Sequence, residues 1–150
     1  RRCCGPRAPR GLPHAGGALQ RGAAVGAGAF QPPAWEEPTS EEEWLKKLGP
    51  ERFYILRQAG TDPPFHHELV KSFPTEGYFA CAACALPLYS CSAKFPDTDW
   101  PAWDKCYFSD TLGCHLGCRN DGYVEMHCVR CKSHLGHVFY GQPTITTERH

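Results

Sequence analysis

Apolar residues in this chain gather in short clusters broken by Gly, Pro and Asp, and one stretch near the front carries a helical period instead. In PTSEEEWLKKLGPERFYILRQAGT, Trp44, Leu45 and Leu48 recur at the spacing that lines one face of a helix. Ser40 followed by Glu43 is a capping box: the hydroxyl accepts a free backbone N–H of the first turn, and the carboxylate reaches back to the cap. Gly49 closes that helix, Pro50 suits the first turn of a second, and Phe53, Leu56 and Arg57 precede a stop at Gly60. Beyond Gly60 the pattern changes. GYFAC, LPLYSC, GYVEMHC and GHVFYG are apolar or aromatic runs of strand length, each bounded by turn residues. The pattern predicts a mainly antiparallel β domain with short helices at its front. A chain of 150 residues has room for one modest core, placed here at residues 40–150. No apolar run approaches membrane-spanning length, so no membrane partner is expected.

Residues 1–39 are expected to form a disordered leader, rich in Arg, Ala, Gly and Pro and poor in periodic apolar surface. Its first 35 residues hold five Arg and no acidic side chain. That composition is similar to the remainder of an organelle transit peptide, although no Ser occurs before Ser40. It also fits GC-rich upstream sequence translated in error. The first reading points to a plastid or mitochondrion, the second leaves the cytoplasm. The one Met of the chain is Met126 and none opens it, so translation is expected to begin upstream. Formal net charge is zero, but residues 36–150 hold 11 basic and 16 acidic side chains. A mildly acidic domain lacks the clustered cations that phosphate binding needs, so nucleic acid is not an expected partner. A monomer is the default expectation.

Ten cysteines would suit a secreted disulfide scaffold, but their spacing points elsewhere. Cys81 and Cys84 form one C-x-x-C pair, Cys128 and Cys131 form another, and 43 residues lie between the pairs. Each such turn brings two thiolates to one side of a tight loop, and two turns complete a tetrahedral sulfur cage for Zn2+. A closed cage is structural: it stabilises a small core by on the order of 10 kcal/mol and leaves no coordination position for chemistry. The separation exceeds the roughly 15 to 20 residues of a simple ribbon, so the metal is expected to staple the ends of a larger inserted sheet. In the folded part Cys91, Cys106, Cys114 and Cys118 are left over, each by itself explained as a small buried side chain. Directly after Cys131, His134 and His137 stand three apart. On a helix that spacing shares a face; in a strand it does not. Gly136 between them can supply a turn or twist that aims both imidazoles into one pocket.

Together these stretches carry a resemblance. LRQAGTDPPF (56–65), GYFACAACALPLYS (77–90), KF with WPAW (94–103), CVRCKSHLGHVF (128–139) and the closing TERH (147–150) resemble, in order, the methionine-R-sulfoxide reductase (MsrB) family. The resemblance implies two antiparallel sheets of β-tent type around a Cys4 zinc site. It implies thiol-dependent reduction of methionine-R-sulfoxide in oxidised proteins, with thioredoxin or another thiol as reductant. By the same resemblance His134 and His137 hold the sulfoxide oxygen and supply its proton, and Arg149 favours the thiolate of the attacking Cys. Trp100 receives the substrate methyl group, and Trp103, which replaces a usual Phe, lines the same wall.

In the family the closing motif runs on into the catalytic Cys, which is expected directly after His150. The fragment is therefore expected to lack both the nucleophile and the C-terminal strand, and to be inactive as it stands. Two departures stand out. Four residues, PDTD, separate KF from WP where the family commonly has five with a resolving Cys among them, and Tyr123 stands where an Arg is common. Cys91, Cys106, Cys114, Cys118 or an external thiol remain open as substitutes. The competing reading is a non-catalytic zinc module of the same fold that binds protein partners.

Overall fold

The computed structural model describes residues 34–96, 98–120, 124–143 and 147–150, together with the strand segments Cys4–Arg7 and Leu19–Gly22. Two helices, α1 (Glu41–Leu48) and α2 (Pro50–Gln58), lead into the β structure. Ser40 caps α1 as its sequence demands, its Oγ accepting the Glu43 N–H at 3.2 Å. The Glu43 carboxylate reaches one residue beyond the cap, accepting the Thr39 N–H at 2.7 Å and the Thr39 hydroxyl at 3.1 Å. That backbone bond holds the Glu43 carboxyl below its usual range. Gly49 sits at φ 74°, where a side chain is strained, and turns the chain so that Pro50 opens α2 without wasting a donor. The left-handed stop of α2 is Ala59 (φ 54°) rather than Gly60. Gly60 answers to a different constraint: the Tyr54 ring fills the space its Cβ would need. Trp44, Leu48, Phe53 and Leu56 bury the inner faces, while Leu45, expected on the same stripe, stays 43% exposed.

Among the described residues ten strands follow one another as β1 (Cys4–Arg7), β2 (Leu19–Gly22), β3 (Tyr78–Cys81), β4 (Pro87–Ser90), β5 (Cys106–Ser109), β6 (Gly113–Cys114), β7 (Leu116–Asn120), β8 (Val124–Cys128), β9 (His134–Tyr140) and β10 (Glu148–Arg149). They form sheets in the orders β1-β5-β6, β2-β3-β4 and β10-β9-β8-β7. Every ladder is antiparallel except β1 with β5. The expectation of a mainly β fold with antiparallel sheets and two short helices holds. The strands divide among three sheets rather than two, because β1 to β6 span four residues or fewer and cannot carry one ladder across the domain. Pro87 enters β4 where its register with β3 shifts, the place a residue without N–H does least harm. Of the leader, β1 and β2 run along the domain; its other residues up to 33, together with Asp97 and Tyr123, lie outside the described residues. Among the described residues no helix is long and apolar enough to cross a membrane.

The two cysteine turns repeat one geometry. After Cys84, Ala85 takes φ 59° and donates its N–H to the Cys81 carbonyl at 2.8 Å; after Cys131, Lys132 takes φ 58° and donates to the Cys128 carbonyl at 3.0 Å. The first cysteine of each pair then donates its own N–H forward, Cys81 to Leu86 and Cys128 to Ser133, at 2.8 and 2.9 Å. Each turn is thus a closed knuckle, and the core of Phe79, Leu86, Leu88, Tyr89 and Trp103 packs beside them.

His115 ties three ladders together. It is 1% exposed. Its Nδ1–H donates to the Pro87 carbonyl at 2.6 Å, which leaves Nε2 to accept the Ser109 hydroxyl at 3.0 Å. Burial pushes its pKa down, with the Pro87 carbonyl opposing, so the folded chain holds it neutral. The unfolded chain takes up the proton near pH 6.5. The resulting stability is present above about pH 6.5 and is lost as pH falls below that. We expect His115→Gln to cost about 2 to 3 kcal/mol in urea unfolding at pH 7.5 and to flatten part of the decline in midpoint between pH 7.5 and 5.5; an unchanged slope would refute the neutral assignment.

Candidate functional site: a histidine-lined cavity beside four sulfurs

A strand should place His134 and His137 on opposite faces, and the structure shows why it does not. Val124 faces Val138, Glu125 faces His137 and Met126 faces Gly136, but His127 faces His134. Leu135 is therefore one residue too many in β9, a bulge that restores parity. Glu125 and His127 are two apart on β8 and share a face, so their partners His137 and His134 share it too. Gly136 takes φ 139° at this point, with the Met126 methyl 3.4 Å from where a Cβ would stand. The two imidazoles lie 5.6 Å apart, inclined at 68°. His134 is buried and His137 exposed.

Glu125 fixes the inner ring. Its Oε1 accepts from His134 Nδ1–H at 3.2 Å and from Arg119 at 3.5 Å. These partners hold the Glu125 carboxyl below its usual range although partial burial opposes them. A donor at Nδ1 leaves His134 Nε2 as the atom able to carry or accept a proton elsewhere.

A cavity of about 490 Å³ opens beside this pair, and His134, His137, Trp100, Trp103 and Arg149 all line it. Trp100 stands at its rim, 44% exposed, its indole N–H donating to the Asp62 carbonyl at 2.8 Å. Phe65, at φ 62°, donates its N–H back to the Asp99 carbonyl at 2.8 Å, so two bonds stitch the 62–65 and 99–100 loops together. Trp103 is a wall rather than a rim: it is 3% exposed, stacked on Tyr89 at 4.5 Å and 8°, and met edge-on by Phe79. The Tyr89 hydroxyl donates to the Met126 sulfur at 3.8 Å, and both side chains border the cavity. Arg149 pairs with Phe139 across β10 and β9, its guanidinium 4.7 Å over that ring. His150 exchanges two backbone bonds with Trp103, at 2.8 and 3.1 Å, and lies 5% exposed with Nε2 3.4 Å from Glu148. Burial lowers its pKa, with Glu148 opposing.

The four predicted metal ligands converge. Cys81, Cys84, Cys128 and Cys131 are buried with all sulfurs within 4.8 Å of one another, and the pairs Cys81–Cys131 and Cys84–Cys128 are each 3.6 Å apart. A tetrahedral site with Zn–S of about 2.3 Å has sulfur edges of about 3.8 Å, so the donor set fits Zn2+. Hydrogen bonds from Cys128, Cys81 and Cys84 hold the Cys131 thiol far below its ordinary range, while bonds with Cys128 and Cys131 push Cys81 far above it. Four buried thiols this close cannot all ionise without a cation among them. Neither histidine belongs to the set.

Sequence reasoning missed Glu125 and His150 as partners in the site. Glu125 lies nine positions before His134, and no local spacing signals a contact made across a bulged ladder. Of the remaining cysteines, Cys91 and Cys106 are buried, Cys118 is exposed and Cys114 is disulfide-bonded. Among the described residues none of these four lines the cavity.

A β domain pinned by four sulfurs, with paired imidazoles facing an aromatic cavity, defines a class that comparison with known proteins makes specific. Residues 48–150 match the SelR domain. Peptide methionine sulfoxide reductase MsrB of Methanosarcina mazei is 39% identical over 116 residues, covering 74% of this chain and 80% of that protein. Peptide methionine sulfoxide reductase B2, chloroplastic, of Arabidopsis thaliana is 41% identical over 134 residues, 86% of this chain and 63% of that protein. Methionine-R-sulfoxide reductase B2, mitochondrial, of Rattus norvegicus is 34% identical over 122 residues, 73% and 68%. The chain belongs to the SelR domain, or methionine-R-sulfoxide reductase B, family.

Two tests follow from the geometry. Cys128→Ser should drop zinc per chain towards zero and lower the melting temperature; unchanged metal content would count against the cage. Gly136→Val places a β-branched side chain at φ 139° against Met126, and should cost about 1 to 3 kcal/mol while shifting the His137 ring resonances in NMR spectra.

Proposed function

We propose that the chain reduces methionine-R-sulfoxide in oxidised proteins, and that the cavity is where the sulfoxide binds. The observation that carries this reading is the meeting of two imidazoles, two indoles and a guanidinium around one space large enough for a methionine side chain. The methyl group would rest on the Trp100 face, apolar against apolar. The sulfoxide oxygen would face His134 and His137, with Glu125 orienting the inner ring through its Nδ1.

The nucleophile in this reading is a Cys directly after His150. Its Cα would lie about 3.8 Å from that of His150, which the two backbone bonds to Trp103 hold against the cavity wall. Arg149 would favour its thiolate through nearby positive charge. The thiolate attacks the sulfoxide sulfur as the oxygen takes a proton from the imidazole pair. The hydroxyl then passes from that sulfur to the cysteine sulfur as the S–S bond just formed and the old S–O bond both break, leaving a cysteine sulfenic acid and methionine reduced by two electrons. A second thiol then displaces water from the sulfenic acid to give a disulfide, which thioredoxin or another thiol reduces. The zinc, when bound, braces the walls through its four sulfurs and supplies no coordination position for this chemistry.

The Arg-rich, acid-free leader supports delivery to a plastid or mitochondrion, and the names of the Arabidopsis and rat relatives, chloroplastic and mitochondrial, support the same direction. We place the protein there as a monomer.

The test is turnover of both sulfoxide epimers with dithiothreitol by the protein carrying the residues that follow His150. The R epimer should be consumed and the S epimer spared; consumption of S alone would overturn the assignment. In the same assay His134→Ala should lower kcat by about a hundredfold or more, and Trp100→Ala should act mainly on KM.

A further inference from the structure

We propose that Arg57 and Arg130 are the counter-cations of the four-cysteine centre, and that Arg57 makes the docking of α1 and α2 depend on the metal. Four thiolates around a divalent cation leave two negative charges, and here every sulfur is buried. Buried charge of that size needs partners close by, and such outer contacts tune metal affinity. Each knuckle receives one guanidinium, at the carbonyl of its second cysteine. Arg130, inside the second knuckle, donates NH1 to the Cys84 carbonyl of the first at 3.3 Å. Arg57, on α2 and 74 positions away, donates NH1 to the Cys131 carbonyl of the second at 3.0 Å.

Arg57 is held for this task. Its guanidinium lies 4.2 Å over the Trp44 ring of α1, so the cation is layered between an indole and the knuckle. Among the described residues no carboxylate comes within 4.0 Å of it, and its buried Nε has no hydrogen-bond partner. The guanidinium's hydrogen-bond partner is the knuckle itself, through the Cys131 carbonyl. Lys132, the other cation of the second knuckle, is exposed and caps the Val129 carbonyl at 2.7 Å instead. When the metal leaves, the sulfurs no longer fix the knuckle that presents the Cys131 carbonyl, and the bond that holds Arg57 loses its geometry. The helices packed on Arg57 then lose their tie. Coupling is reciprocal, so removing Arg57 must weaken the metal.

The experiment uses the zinc-loaded full-length protein at pH 7.5, challenged with excess 4-(2-pyridylazo)resorcinol. Arg57→Met, which keeps the stem and removes the charge, should release zinc about 10 to 100 times faster than wild type, and Arg130→Met likewise. Arg57→Lys should fall between, since it keeps the charge and loses the flat stacking. In hydrogen exchange, stripping zinc from the wild type should strip protection from residues 41–58. Release within about twofold of wild type in an Arg57→Met protein with native circular dichroism overturns the assignment, as does protection of 41–58 that survives zinc removal. Should Arg57→Met fail to fold, Arg57→Lys and the exchange of stripped wild type decide alone. Absence of zinc from protein made in zinc-replete medium overturns the proposal together with the cage.

Discussion

Two segments separated by 43 residues must bring four sulfurs within 4.8 Å of one another, and most of this fold follows from meeting that demand. A domain of this size buries little apolar surface relative to the entropy of ordering its chain, and its strands are short. The knuckles remove that difficulty locally. Each closes with the same pair of backbone bonds and a left-handed residue at the same position, so β3 is handed to β4, and β8 to β9, at fixed angles. The cavity inherits its rigidity from there: β9 begins at His134, three residues after Cys131 of the second knuckle.

The face that carries both histidines depends on a second constraint, the extra residue at Leu135. Without it His137 would turn to the other side of the sheet, and the Glu125 carboxylate would face one imidazole instead of serving a pair. The bulge sits beside Gly136 because the backbone there takes a conformation that side chains resist. Strain of this kind persists only where surrounding packing enforces it. Here β8 enforces it, with Met126 facing Gly136 across the ladder.

Much of this was legible in the chain. Paired C-x-x-C turns named their own partners, the capping box at Ser40 set the start of α1, and Gly136 between two histidines hinted at the twist that unites them. What escaped reading was lateral. Cys106–Ser109 and Leu116–Asn120 hold too few alternating apolar residues to declare themselves as strands. Glu125 reaches His134, and Arg57 reaches Cys131, through sheet register and helix docking that no local spacing encodes. Trp103 and Trp100 look alike in WPAW, yet the first is core and the second rim, a distinction that rests on Tyr89 and Asp62 waiting elsewhere in the fold.

Met126 gives the architecture a last meaning. It is the single thioether in this 150-residue sequence, 3% exposed, with the Tyr89 hydroxyl turned towards its sulfur. Proteins of this family meet methionine that oxidants have already damaged, so they work among those oxidants. Among the residues described, the one such target is packed against an aromatic wall, where an oxidant at the surface scarcely reaches its sulfur.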